Sequence, residues 1–224
     1  LPFQLSKHMV LIMAILSGAG AVALYRSAVQ LKMKNAFLVV PLLLFQTFYF
    51  TTSRSALTEP LIAIILSFGL YFYLNKKWLW FAIIGSLIPL ARLEISAFLF
   101  LWAFYLYREK QLKYVLILGI PTLLWNFGGT ILEGDWLWLV NETIGNDTGV
   151  NRYGQTSFGH YFQRYIYITG PFIFYFLFIG LSENIYRKKT KAYIDGQFIL
   201  GFAIYVLFSW KLSLGQAAGF LRHL

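Results

Sequence analysis

The stretch TEPLIAIILSFGLYFYLNKK, residues 58–77, decides the class of fold. It carries no charged side chain between Glu59 and Lys76, and its apolar residues surround the helix instead of forming one stripe. A helix without a polar face has no side for water, so it belongs in a large core or in a bilayer. Paired lysines at its end are typical of the cytoplasmic flank of a membrane span. We therefore predict a transmembrane helix over Leu57–Leu74.

The composition of the whole chain supports this interpretation. Of 224 residues, 58% are hydrophobic, 20% are aromatic and only 12% are charged, about half the charged share of a soluble domain. A soluble domain of this length has too little interior for so much apolar surface. The composition thus excludes a soluble globular domain, a disordered chain and a basic nucleic-acid-binding domain, so no nucleic-acid partner is expected. Because cysteine is absent, disulfides and thiolate chemistry are excluded as well.

Eight apolar segments predict an all-α, polytopic transmembrane helix bundle. Several are shorter than the ~20 residues of a straight span, and flanking aromatic and basic side chains make up the difference. We interpret residues 1–224 as a single, partial transmembrane domain of a longer protein. The segments are Met9–Leu24, Ala36–Thr51, Leu57–Leu74, Trp78–Ala91, Ile95–Tyr107, Tyr114–Gly128, Ile166–Leu181 and Gly196–Trp210.

The distribution of charge predicts the orientation. Alternate loops hold most of the 19 basic residues, and most acidic residues lie in the other loops. The basic loops should face the cytoplasm, which places both ends of the chain on the extracytoplasmic side. We expect an integral membrane protein of a bacterial or archaeal cytoplasmic membrane, or of the endoplasmic reticulum in a eukaryote, with membrane lipid as its surroundings.

Two features of the outer side follow from this orientation. The stretch from Trp78 to Tyr107 fits either one kinked helix or two short helices. Two short helices form a hairpin, which keeps the basic residues before and after the stretch on the same side of the membrane. We therefore predict the hairpin, with Arg92 and Glu94 at its outer tip. An outer loop runs from Gly129 to about Tyr165 (residues 129–165) and contains apolar residues suited to lie in the interface. A loop of this length is usually functional.

Polar residues at membrane depth are candidate functional residues, because they are costly unless paired or hydrated. Here they gather at the outer ends of the helices and predict a polar, partly basic cavity that opens outward. Helix N-termini at the same level favour an anion, such as a lipid phosphate or pyrophosphate. The residues are Arg54, Glu59, Arg92, Glu94, His160, Arg164, Lys211, Arg222 and His223.

Each motif also has a purely structural interpretation. Thr58 and Glu59 fit a helix cap, and Glu59 equally fits a contact to a sugar hydroxyl or to Arg54 or Arg92. Arg92 and Glu94 fit a local surface pair, or Arg92 fits a phosphate clamp through its planar fork of donors.

The motifs near the end of the chain leave the same choice open. His160 and Arg164 are spaced to share a helix face. His160 is either a surface residue with satisfied hydrogen bonds or a catalytic one, and Arg164 suits an anion contact. Arg222 follows the small residues Gly215–Gly219 and fits either a helix-packing turn or a phosphate contact. Few histidines and no cysteine make a metal site of soft ligands unexpected, and a divalent metal is not indicated.

Four stretches in order resemble the GT-C class of multispanning glycosyltransferases, notably the mannosyltransferase-like members. At the tip, Leu93 stands where that class often has proline; in the last stretch, Ala217 and His223 stand where serine and tyrosine are common. None of these departures removes a charged group. The stretches are GAGAVALYR (residues 18–26), SALTEPL (55–61), LARLE (90–94) and QAAGFLRHL (216–224).

The resemblance implies inverting transfer of a sugar from a polyprenyl-phosphate donor to an acceptor glycan, lipid or protein at the extracytoplasmic or lumenal face, without a tightly bound cofactor. Members of the class carry their catalytic carboxylate in the first outer loop, which would lie upstream of Leu1. The catalytic base is therefore unassigned, with Glu59 as a weak candidate. The resemblance implies that arginines hold the phosphate leaving group.

Two alternatives to a glycosyltransferase stay open. A transporter or flippase for a lipid-linked or anionic substrate should have polar residues on broken helices near mid-membrane and often a repeated half. In this sequence the candidate functional residues lie at one face, the outer ends of the helices, and no repeat is visible. A non-catalytic membrane assembly subunit is the other alternative.

Overall fold

The computed structural model describes residues 2–52, 58–91 and 93–145, together with Tyr175, Ile179 and Ala203. Within these ranges the chain is helical and contains no strand, which confirms the all-α prediction for this part. The helices are α1 (Pro2–Gln30), α2 (Val39–Leu44), α3 (Thr47–Thr52), α4 (Thr58–Leu74), α5 (Trp78–Gly85), α6 (Ile88–Ala91), α7 (Ala97–Arg108), α8 (Val115–Glu133) and α9 (Trp138–Gly145). Short 3-10 turns, η1 (Ala36–Leu38), η2 (Leu93–Ser96) and η3 (Leu112–Tyr114), precede α2, α7 and α8.

Two stretches of the described part are long and apolar enough to cross a membrane, His8–Gln30 and Leu112–Glu133. Only 28% of the first window and 11% of the second is buried inside the protein, so most of their apolar surface faces outward. The core helix of a soluble domain would be mostly buried instead. Shorter apolar helices cover Pro60–Leu74, Trp78–Ala91 and Ala97–Arg108.

Helices α1 and α4 lie side by side and run in the same direction. Small residues of α1 permit the close approach: a Cβ on Gly20 would lie 3.3 Å from Cγ1 of Ile64. At the far end, Gln30 Nε2 donates to the carbonyl of Leu74 at 2.9 Å. The last turns of α1 and α4 are therefore neighbours.

Helices α5 and α7 form the predicted hairpin. The ring of Phe81 in α5 stacks on Trp102 in α7, with centroids 4.3 Å apart and planes at 13°. Tyr73, at the end of α4, lies 5.6 Å from the ring of Trp78 and 5.7 Å from that of Tyr105. The start of α5 and the end of α7 thus lie at the same end of the bundle, which confirms the hairpin.

Two predicted spans are interrupted, which corrects their description as single helices. The segment Ala36–Thr51 breaks at Phe45 and Gln46, where Gln46 Oε1 accepts a hydrogen bond from the N–H of Tyr49 in the first turn of α3. The segment Trp78–Ala91 breaks after Gly85, because Pro89 has no N–H for the Gly85 carbonyl. In both segments a polar residue or a proline interrupts the helix, although the surrounding residues are apolar.

Three helices, α1, α4 and α7, end in the same backbone motif, with lysine in the left-handed conformation. Lys32, Lys76 and Lys110 have φ of 56°, 55° and 58°. Each lysine N–H bonds back to the carbonyl three residues earlier, and the next N–H reaches five residues back, which is the Schellman pattern. A side chain in this conformation costs about 1–2 kcal/mol, so glycine is the usual residue.

Candidate functional site

The predicted outer site falls largely outside the residues that the structure describes. Glu59 and Glu94 have a described backbone, at the start of α4 and in η2, but their side chains are outside the description. The remaining predicted site residues, Arg54, Arg92, His160, Arg164 and Arg222, lie wholly outside it, as do Lys211 and His223. The structure therefore places the two motifs around Glu59 and Glu94 in the fold, and the roles of all seven site residues stay predictions.

The first motif begins α4. The helix starts at Thr58, within the predicted stretch, and Pro60 lies in its first turn, where proline loses no helical hydrogen bond. Pro60 is fully buried, which anchors this end of the helix in the protein. Glu59 stands between these two residues, at the positive end of the helix dipole.

The second motif is the tip of the α5–α7 hairpin. Helix α6 ends at Ala91 and η2 begins at Leu93, so Arg92 occupies the single position between them. Ile88 and Ile95, on either side, are buried, with 0% and 2% of their surface exposed. The tip is thus held by apolar anchors on both sides of Arg92.

The two motifs lie at the same end of the bundle. Helices α4 and α6 are in contact, and the hairpin packs its opposite end against Tyr73. The backbone positions of Glu59 and Glu94 are therefore far from the lysine turns and close to one another in level.

Helix α8 and α9 form a third feature of this end, a corner held by Asn126. Its Nδ2 donates to the carbonyl of Trp136 at 2.9 Å, and its Oδ1 accepts from the N–H of Leu139 at 3.0 Å. The Asn126 side chain thus satisfies the carbonyl of Trp136, which lies between α8 and α9. It also satisfies the N–H of Leu139, which has no partner within the first turn of α9. The sequence interpretation missed Asn126, although a polar residue within an apolar helix is itself a signal.

The connection between α8 and α9 is closed by Asp135. Its Oδ1 accepts from the N–H of Leu137 at 2.9 Å and its Oδ2 from Nδ2 of Asn141 at 2.7 Å. Gly134 ends α8 with φ of 74°, the conformation that favours glycine. The predicted outer loop, residues 129–165, thus needs correction at its start, because residues 129–133 still belong to α8.

Trp138 packs onto α8 where a glycine leaves room. A Cβ on Gly129 would lie 1.9 Å from Cε3 of Trp138, and the ring of Trp125 meets that of Trp138 edge-on at 6.1 Å. Trp136 and Leu137 remain 80% and 60% exposed. The corner therefore presents apolar side chains outward, as expected for residues in a membrane interface.

No group of three or more histidine, cysteine or acidic side chains that could hold a metal occurs among the described residues. Three polar side chains of the corner, Asn126, Asp135 and Asn141, are engaged with the backbone and with each other. They organise the corner between α8 and α9. Comparison of the chain with family models, curated proteins and solved structures gave no match.

Proposed function

We propose that the chain is an integral-membrane glycosyltransferase of the GT-C type, which moves a sugar of the mannosyl type from a polyprenyl-phosphate donor to an acceptor at the extracytoplasmic face. One observation carries the proposal: the start of α4 and the hairpin tip, which hold Glu59 and Arg92 in sequence, lie at one end of the bundle, opposite the lysine turns. The resembling stretches around these residues thus meet at one level.

The proposal places the bundle across a membrane with the lysine turns inside. Exposed apolar side chains on α8, such as Leu116 at 78% and Leu132 at 83%, support a lipid environment. At ~1.5 Å per residue, α8 is about 28 Å long, close to the ~30 Å hydrocarbon thickness. We propose eight spans in all and both chain ends on the outer side.

The chemistry proposed for this end needs an arginine and a carboxylate. The acceptor hydroxyl oxygen attacks the anomeric carbon, while the bond to the donor phosphate oxygen breaks and that oxygen keeps the electron pair. A carboxylate takes the hydroxyl proton, and Glu59 is the candidate that this chain offers. Arg92, with Arg54, Arg164 and Arg222, would neutralise the charge that develops on the leaving phosphate, and His160 and Glu94 would line the site.

A transfer assay tests the proposal. Membranes that contain the full-length protein are supplied with a polyprenyl-phosphate mannose labelled in the sugar, and label is followed into lipid, glycan and protein fractions. Arg92→Ala should abolish transfer, and Arg92→Lys should restore only part of it because lysine lacks the planar fork. Lys113→Ala, which removes a cation at the opposite end, is the control and should leave transfer unchanged. Full activity in both Arg92→Ala and Arg222→Ala would refute the assignment.

A transporter or flippase is the second candidate, because one observation favours it. The segment between Ala36 and Thr52 is a broken helix with Gln46 at the break, and broken helices bearing polar residues are common at transport sites. Movement of the labelled donor across proteoliposomes without sugar transfer would favour this function. Neither transfer nor movement would leave the assembly subunit as the remaining alternative.

A further inference from the structure

The lysine end of the bundle, formed by the turns at Lys32, Lys76 and Lys110, is one continuous surface. Gln30 Nε2 donates to the carbonyl of Leu74 and joins the first turn to the second. Tyr73 Oη donates to Glu109 Oε1 at 3.5 Å and joins the second turn to the third. Side-chain contacts that bridge helices therefore hold the three turns together.

Lysine at these three positions is unusual for the backbone conformation. The fourth left-handed position in the described helices is Gly134, at the opposite end of the bundle, and it follows the normal preference. At the lysine end, three residues with side chains adopt the left-handed conformation, which is unfavourable for them. Three lysines in the same strained conformation at one end direct attention to what their side chains can bind.

The helix dipole does not account for the choice of lysine. A cation near a helix C-terminus is favourable, but neighbouring positions supply one without strain. Lys77 follows Lys76 with a negative φ of −87°, outside the left-handed region, and Arg108 already lies in the last turn of α7. The strained lysines are thus additional to the charge that the helix ends require.

The charge on this end is strongly unbalanced. Glu109 is the one acidic residue among the described residues of these turns, and its carboxylate already accepts from Tyr73. The described part of this end therefore carries a strong net positive charge. The exposed cations are Arg26, Lys32, Lys34, Lys76, Lys77, Arg108, Lys110 and Lys113.

Aromatic side chains at the same level identify the surroundings. Tyr107 is 64% exposed and Trp80 54% exposed, and Lys113 Nζ lies 5.0 Å from the centre of the Tyr114 ring. Aromatic rings beside lysines at helix ends mark the headgroup region of a bilayer. Phosphate of anionic lipid is the anion available there.

We propose that the turns at Lys32, Lys76 and Lys110 form one binding surface for the headgroups of anionic phospholipids in the inner leaflet. Each lysine is placed beside the helix end by its left-handed backbone, where it meets a lipid phosphate. The proposal shares with the proposed function only the placement in a membrane, and it concerns the opposite end of the bundle.

The test uses the full-length protein in nanodiscs of phosphatidylcholine, with and without phosphatidylglycerol, and measures bound lipid by native mass spectrometry and thermal unfolding. Lys32→Gly, Lys76→Gly and Lys110→Gly are combined, because glycine removes the charges while suiting the backbone. Diffuse attraction to an anionic surface contributes about fivefold in affinity per lysine, so the loss of any three charges costs on the order of a hundredfold, and the triple variant should lose clearly more than that. Its unfolding temperature in phosphatidylcholine should not fall, which shows that it folds.

The matched control removes three cations of the same end whose backbone is not left-handed, with Lys34→Gln, Lys77→Gln and Lys113→Gln. It should lose clearly less affinity for phosphatidylglycerol than the glycine variant. Equal losses would mean diffuse attraction and would overturn the proposal, as would unchanged binding by the glycine variant. Equal stabilisation of the wild type by inorganic phosphate would overturn the assignment to lipid. Sugar transfer is not measured, so the outcome is independent of the enzymatic proposal.

Discussion

Trp102 lies flat on Phe81 and fills the space above Gly85, so α5 and α7 meet through two stacked rings and a missing side chain. The ring centroids are 4.3 Å apart, and neither ring has exposed surface. A Cβ on Gly85 would lie 2.2 Å from Cε3 of Trp102 and 2.9 Å from Cδ2 of Leu118. Three helices, α5, α7 and α8, therefore meet at one glycine.

Replacing Gly85 should open this contact. We expect Gly85→Ala to destabilise the protein by about 1–3 kcal/mol, because the closely packed indole must move. Thermal unfolding of the purified protein measures the loss. Gly119→Ala is the matched control, since no atom lies within 4 Å of its added Cβ and alanine favours a helix, so stability should hold or rise. Equal behaviour of the two variants would contradict the packing at Trp102.

The hairpin could be predicted from the sequence, but its internal contact could not. Basic residues flank the stretch at Lys76 and at Arg108, and both flanks are expected on the cytoplasmic side. The chain must therefore cross the membrane an even number of times between them, which requires two helices. The helices are apolar all round, so no polar stripe indicates which face packs inward. Which side chains meet, such as Trp102 and Phe81, depends on helix rotation, and the pattern does not encode it.

Two neighbouring lysines should respond to glycine in opposite directions. Lys76→Gly relieves the left-handed strain and should stabilise the protein by about 0.5–1 kcal/mol after the greater freedom of the unfolded chain is subtracted. Lys77→Gly relieves no left-handed strain, because Lys77 has φ of −87°, and it should destabilise by roughly a few tenths of a kcal/mol, because Lys77 caps α5, where glycine is tolerated, and glycine frees the unfolded chain.

The pair is its own control, because each variant removes one lysine charge from the same turn. Chemical or thermal unfolding in a neutral detergent measures both. Shifts of the same sign and size would mean that charge, and not backbone conformation, sets the stability of the turn. The sequence alone does not reveal this conformation, because glycine is the signal for it and lysine is not.

Asn126 should control how firmly α9 is held to α8. Asn126→Leu removes both hydrogen bonds, and we expect the amide of Leu139 to exchange hydrogen about 5–30 times faster. Asn126→Asp keeps the acceptor for Leu139 and loses the donor to Trp136, so its effect should be intermediate. Asn141→Ala, which removes only the exposed bond to Asp135, is the control and should change the exchange little.

Some features of the candidate site could also be predicted from the sequence, and others could not. Thr58 at the start of α4 and the tip around Arg92 follow from proline, from charge and from the side of the membrane assigned to each loop, and the structure places both at one end. The contacts of Arg54, His160, Arg164 and Arg222 depend on how distant spans assemble, which is a tertiary relation. The corner at Asn126 escapes a search for charged groups because an amide acts there through the backbone.

The orientation of the bundle can be tested directly, because the chain has no cysteine of its own. Lys77 and Glu133 are both exposed and lie at opposite ends of the bundle, at the start of α5 and the end of α8. In sealed right-side-out vesicles, a membrane-impermeant maleimide should label Glu133→Cys at once and Lys77→Cys only after permeabilisation. Lys34→Cys should behave like Lys77→Cys, because its turn lies at the lysine end. Labelling of Lys77→Cys and Glu133→Cys from the same side would contradict both the orientation and the placement of the proposed sugar-transfer site.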